Sequence, residues 1–89
     1  MLFHYGQRVK CIETPDGNIS VVGLTGTVFN PRPNDEHWDG VVFDRQIPEG
    51  HYIYDQNRKI HVGDRYGWNC PPGTLIPIDT YVLNLDEII

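Results

Sequence analysis

Apolar and polar positions alternate in short bursts along this chain, and no stretch of useful length keeps a helical period. Gln7-Arg8-Val9-Lys10-Cys11-Ile12 has the period of two that marks a half-buried strand, with Val9 and Cys11 facing inward. Thr14-Pro15-Asp16-Gly17-Asn18 is a turn: proline presets its φ and glycine accepts a positive one. In residues 19–24 the apolar Val21, Val22 and Leu24 predict a loop that folds back over the core. Thr25-Gly26-Thr27-Val28-Phe29 reads as a second strand. Trp38-Asp39-Gly40-Val41-Val42-Phe43-Asp44 reads as a third, carrying β-branched and aromatic residues. The segment between them, residues 30–37, holds Pro31 and Pro33 and reads as a polar hairpin loop. Residues 45–62 read as one long loop of about eighteen residues, a length that is uncommon unless functional or disordered. Tyr52, Ile53 and Tyr54 argue against disorder there. Trp68-Asn69-Cys70 is expected to be a central strand, ended by the tight turn Pro71-Pro72-Gly73-Thr74, because proline cannot donate to a ladder. Leu75-Ile76-Pro77-Ile78 is a short strand, placed at an edge by Pro77.

Five short strands, two hairpins and a tight turn before the last strand predict an all-β fold: a small five-stranded Src-homology-3-like barrel with a long loop before the fourth strand and an extra C-terminal strand. The whole chain, residues 1–89, is expected to form one domain, with the barrel over about residues 6–78 and a tail over 79–89. The expected core is Val9, Cys11, Val28, Val41, Phe43, Trp68 and Leu75. In the tail, Tyr81, Leu83 and Leu85 alternate with Val82, Asn84 and Asp86, again the period of a strand. A lone terminal strand leaves an apolar face and an unpaired edge in water, so the tail is expected either to lie against its own barrel beside Leu2-Phe3-His4-Tyr5 or, the favoured reading, to pair with its copy in a second subunit.

Two resemblances follow from these segments. Gly6-Gln7-Arg8-Val9, Val22-Gly23-Leu24-Thr25-Gly26-Thr27-Val28, Val41-Val42-Phe43-Asp44, Gly50-His51, Gly67-Trp68 and Pro71-Pro72 resemble, over residues 6–78, a group of small phage and bacterial barrel proteins of mostly unassigned function. Where those proteins often follow Gly-His with cysteines and glycines, this chain has Tyr52-Ile53-Tyr54-Asp55. Gly26-Thr27-Val28, Trp38-Asp39-Gly40-Val41-Val42-Phe43-Asp44 and Gly63-Asp64-Arg65-Tyr66-Gly67-Trp68-Asn69-Cys70-Pro71-Pro72 are similar to the cytoskeleton-associated glycine-rich domains. The peptide-binding Gly-Lys-Asn-Asp-Gly loop of that family is absent, so this second likeness implies barrel geometry and not shared partners. The first implies a phage-type protein acting in the host cytoplasm by binding.

Charge narrows the partner. A net charge of −5 disfavours a nucleic-acid backbone, which calls for a basic face. No apolar run approaches membrane-spanning length, and the start, Met1-Leu2-Phe3-His4-Tyr5-Gly6, lacks the regions of a signal peptide. Cys11 and Cys70 are expected to be reduced core thiols, which fits a reducing, cytoplasmic setting.

Catalytic patterns are weak. Cys70 follows an apolar strand, Ser20 is the only serine, and the carboxylate pairs Asp35-Glu36 and Asp86-Glu87 fall in segments expected to be exposed. There is no Walker or dinucleotide glycine loop. His51, His61, Asp55 and Cys70 lack the tight spacing of a zinc site, so no metal or other cofactor is expected, and His37 is expected to be solvated. The suggestive set is aromatic and basic. Tyr52, Tyr54, Tyr66 and Trp68 are interleaved with His51, Arg58, Lys59, His61 and Arg65, residue types that supply stacking area and bidentate contacts to anions. The expectation is a non-enzymatic protein of anti-defence type that uses these nine residues to occupy a host protein or capture a small anionic ligand. The alternative is an oligomeric sponge for a nucleotide-like signal; a small hydrolase or a virion component ranks lower. On the tail-pairing expectation, the full-length chain should sediment as a dimer at high micromolar concentration, and truncation after Asp79 should give a monomer. A full-length monomer would refute the pairing.

Overall fold

The computed structural model describes residues 2–78, so the tail strand expected at 79–89 lies outside the described residues. Six strands form one antiparallel sheet: β1 (Arg8–Cys11), β2 (Thr25–Asn30), β3 (Asp39–Phe43), β4 (His51–Asp55), β5 (Ile60–Cys70) and β6 (Leu75–Pro77). Their order across the sheet is β4-β5-β3-β2-β1-β6. Among the described residues a single 3-10 turn, Ile19–Val21, interrupts the strands. The fold is all-β, as expected. The strand count differs, because the stretch read as a long loop contains β4 and the first three residues of β5.

The front of the sheet carries the core. Val9 and Cys11 alternate inward along β1, Val28 comes from β2, and Val41 and Phe43 come from β3; all are 2% exposed or less. Cys70, Leu75, Ile47 and Val21 close the cluster, and Phe3 covers it from the N-terminal side. Val21 folds back over the core, as its loop was expected to do, while Val22 stays 39% exposed. Trp68 was expected to be largely buried but is only half-buried, packed against the rim of the core. Its indole N–H donates to the Pro15 carbonyl at 3.0 Å, a polar demand that keeps the ring at the boundary.

β3 is buried on both faces, which a hairpin with one wet side would not be. The reason is the length of β5. Its C-terminal half pairs with β3, from Asp39↔Cys70 to Val42↔Gly67. Its N-terminal half carries β4, from Ile53↔Val62 to Asp55↔Ile60. The register slips between His51 and Ile53, and the hairpin bends over the back of β3. Ile53, 2% exposed, fills the resulting space but is not part of the front cluster. Glycine makes the approach feasible: a Cβ at Gly40 would sit 2.9 Å from Ile53 Cγ2, and one at Gly67 would run into the same side chain.

The loop over residues 30–37, read as a polar hairpin loop, contributes Arg32 to a buried ion pair with Asp39 of β3. Arg32 donates from its backbone N–H (3.0 Å) and its Nε (3.1 Å) to Asp39, and the two side chains are 2% and 1% exposed. Arg32 also donates to the Asn34 carbonyl and to Asp35. Chelation of this kind satisfies both charges where water cannot. At the other end of the sheet Arg8 grips Asp44 with two N–H groups, at 2.7 and 2.5 Å. Among the described residues no buried side-chain nitrogen or oxygen lacks a partner.

Phe43 is the largest fully enclosed side chain of the front core. Its replacement by alanine should lower unfolding free energy by about 3–5 kcal/mol, enough to unfold a small domain of ordinary stability. Urea titration followed by tryptophan fluorescence checks this; an unchanged midpoint would contradict the strand register.

Candidate functional site

The structure distributes the nine candidate residues over one hairpin and separates them into groups with different work. β4 reads His51-Tyr52-Ile53-Tyr54-Asp55. Its alternation puts Ile53 and Asp55 inward and Tyr52 and Tyr54 outward, the two tyrosines 54% and 39% exposed. His61, opposite Tyr54 on β5, shares their side. Its ring meets Tyr54 edge to face at 5.3 Å and Tyr52 at 6.1 Å. The three rings therefore form one outward aromatic ridge, with geometries typical of favourable aromatic pairs. The exposed Ile60 lies next to His61 along β5.

What holds this ridge in place is Asp55, whose spacing from His51, His61 and Cys70 suggests no role by itself. Its side chain is fully buried. It accepts the Tyr5 hydroxyl (2.9 and 2.8 Å), the Asn57 and Arg58 backbone N–H groups (3.0 and 2.8 Å) and the Arg58 Nε (2.7 Å). The Asp55 carbonyl accepts from Lys59, so the turn between β4 and β5 is built around this one residue. Lys59 takes the left-handed conformation, φ 60°, that closes the turn. Burial would push the Asp55 carboxyl up. The Arg58 backbone N–H and guanidinium, the Tyr5 hydroxyl and the Asn57 N–H outweigh it and hold the carboxyl down at about 2. Burial and the same carboxylate push the Tyr5 phenol up. The Tyr5 ring also meets Phe29 edge to face at 5.7 Å, tying the N-terminal segment to β2.

Arg58, expected to face a ligand, donates to Asp55 through its Nε, and its side chain stays 59% exposed. His51 and Trp68 pair with each other, ring centroids 5.3 Å apart and tilted by 32°. The Trp68 ring is half-buried beside Pro15, so its free area is small. Tyr66 is 38% exposed. Arg65 lies in the strongly bent part of β5 with φ 73° and lines a cleft of about 500 Å³ with residues 46–50. A second cleft, of about 380 Å³, lies between Phe3, Pro71, Pro72 and Leu75, with Asp35 and Asp39 both engaged by Arg32.

Cys11 and Cys70 are buried and free. Burial pushes both thiols up, away from the thiolate that a nucleophile requires. Among the described residues no three of the His, Cys, Asp and Glu side chains group as metal ligands, and no helix is long and apolar enough to cross a membrane. His37 is exposed and bonds only locally, to Asn34. No protein-family model matches this chain, and no curated protein or solved structure is significantly similar to it.

The residues missed from sequence were Tyr5, Asp55 as an anchor, and the Arg32–Asp39 pair. A local signal existed for one of them: Asp followed two and three residues later by free backbone N–H groups is the pattern of an Asx turn. The folded Asp55 carboxyl, at about 2, titrates below an unfolded aspartate, near 3.9, so it adds stability above about pH 4 that is lost as pH falls toward about 2. The Asn57 and Arg58 amide resonances should therefore titrate together with a midpoint near pH 2. Asp55→Asn should abolish that titration while the contribution of Asp44, also held low by Arg8, persists. A midpoint near 4 would show that the carboxylate is not clamped.

Proposed function

We propose that this protein is a non-catalytic binding protein of phage type that docks on a host protein through the ridge of Tyr52, Tyr54 and His61. The observation that supports this most directly is the pairing of exposure with rigidity. The three rings are presented to solvent on paired strands, and their turn is fixed from inside by a buried carboxylate with several donors. Tyrosine on a rigid strand offers large amphipathic contact area at small entropic loss, which is why it is enriched where proteins meet. The net charge of −5 favours a partner with a basic surface and speeds their encounter. Buried, un-ionised cysteines support the non-catalytic reading and the reducing host cytoplasm as its setting.

The alternative, a sponge for an anionic nucleotide-like molecule, relied on Arg58, Lys59 and Arg65 acting together. Asp55 already neutralises part of the Arg58 charge through its Nε, which favours the protein partner over that reading.

The test is the double variant Tyr52→Ala/Tyr54→Ala, tagged and expressed in the host beside the parent. The parent should co-purify one host protein, and the variant should bind it about 30-fold more weakly or worse, the loss of about 2 kcal/mol expected for a hot spot. Its melting temperature should stay close to that of the parent, because both rings project away from the core. A variant that binds normally would overturn the assignment of this face; recovery of a nucleotide instead of a protein would favour the sponge.

A further inference from the structure

The cleft beside the hairpin combines three features. The first is a β-turn over residues 47–50, closed by Gly50 N–H donating to the Ile47 carbonyl at 3.0 Å. Pro48 occupies its second position and Glu49 its third, with φ 60°. That is the arrangement of a type II turn, whose third position calls for glycine. The second is the bend in β5, where Arg65 holds φ 73° and its carbonyl accepts from the Ile47 N–H at 3.0 Å. A positive φ strains any long side chain, and such residues concentrate at functional sites. The third is Gly50, where an added Cβ would run into the Arg65 carbonyl.

The chain thus uses glycine where space forbids a side chain, and keeps Glu49 and Arg65 where only the backbone angle asks for glycine. Both charged residues line the same cleft of about 500 Å³, with Gln46, Ile47 and Pro48. Both are exposed, and among the described residues neither side chain has a hydrogen-bond or ion-pair partner, although each lines a space that holds the opposite charge. Arg8, Arg32 and Arg58, by contrast, are each paired with an acid. Asn18 braces the loop from outside, its side-chain amide donating to the Pro48 carbonyl at 3.1 Å.

We propose that this cleft binds a zwitterionic small molecule of the α-amino-acid class, its carboxylate received by Arg65 and its ammonium by Glu49. Guanidinium suits a carboxylate as a two-pronged donor, and a single carboxylate suits a compact ammonium. Gln46 adds an amide that can serve either end, and Pro48 and the edge of Ile47 give apolar wall to a side chain. A purely anionic ligand would face repulsion from Glu49, and a purely cationic one from Arg65. The site is independent of the tyrosine ridge and does not rest on it.

The experiment is a titration of the full-length 15N-labelled protein with each of the common amino acids up to about 10 mM, following the Gln46, Glu49, Gly50 and Arg65 amides, a range that detects weak millimolar sites. At least one amino acid should move these signals to saturation. Its decarboxylated amine and its deaminated acid should each bind at least about ten-fold more weakly, as should the Arg65→Gln and Glu49→Gln variants, a loss of about 1.4 kcal/mol or more. Arg65→Gly and Glu49→Gly should melt no lower than the parent, because they remove strain and no packing. The proposal is overturned if no amino acid saturates, if a singly charged fragment binds as well, if the glutamine variants bind as the parent does, or if the glycine variants lose thermal stability.

Discussion

The arrangement of this protein depends on one buried carboxylate. Asp55 lies at the end of β4, out of contact with water, and takes donors from three directions: the Tyr5 hydroxyl across the sheet, two backbone N–H groups of the following turn, and the Arg58 guanidinium. A buried anion without such partners would be strongly disfavoured, so the site exists only when hairpin and N-terminal segment are both in place. The carboxylate is a latch as well as a turn residue. It fixes where the hairpin lies over β3, and through that it fixes which rings of β4 face outward.

The front half of the fold could be read from the chain because it obeys simple alternation. Val9 and Cys11, then Val28, then Val41 and Phe43 all lie where a period of two places them. The hairpin was illegible for a physical reason. In His51-Tyr52-Ile53-Tyr54-Asp55 the alternation is present but inverted in polarity: two large aromatics face water and an aspartate faces in. A rule that sends apolar residues inward cannot orient such a strand, and the stretch then looks like an aromatic loop. The turn chemistry held better clues, Pro48-Glu49-Gly50 before the strand and Asp55 to Lys59 after it. The Arg32–Asp39 pair was hidden for a related reason, since charges in a proline-rich loop ordinarily mean solvent.

Of the candidate site, composition revealed the residue types and the neighbourhood but not the division among them. Tyr52, Tyr54 and His61 form a face because strand pairing sets Tyr54 opposite His61, a fact of register. The turn brings the Arg58 Nε back onto Asp55 within three residues, while the side chain stays 59% exposed. Glu49 lines the same cleft as Arg65, sixteen positions away in sequence, because the loop before β4 is held to β5 by the Ile47 N–H donating to the Arg65 carbonyl. The Tyr54–His61 pairing and the cleft shared by Glu49 and Arg65 join residues apart in the sequence, which periodicity and composition do not encode.

The double coverage of β3 also bears on how the chain reaches its native state. The contacts that lock the hairpin span long separations: Tyr5 to Asp55 is 50 residues and Trp68 to Pro15 is 53. Closing loops of that size precedes any reward from the contacts they make, so folding should be slow for a domain of this length. Once closed, the backbone amides of β3 lie beneath core on one side and hairpin on the other. They are shielded until the whole structure opens, which makes β3 the segment whose hydrogen exchange reports global unfolding and the hairpin the segment whose exchange reports the latch.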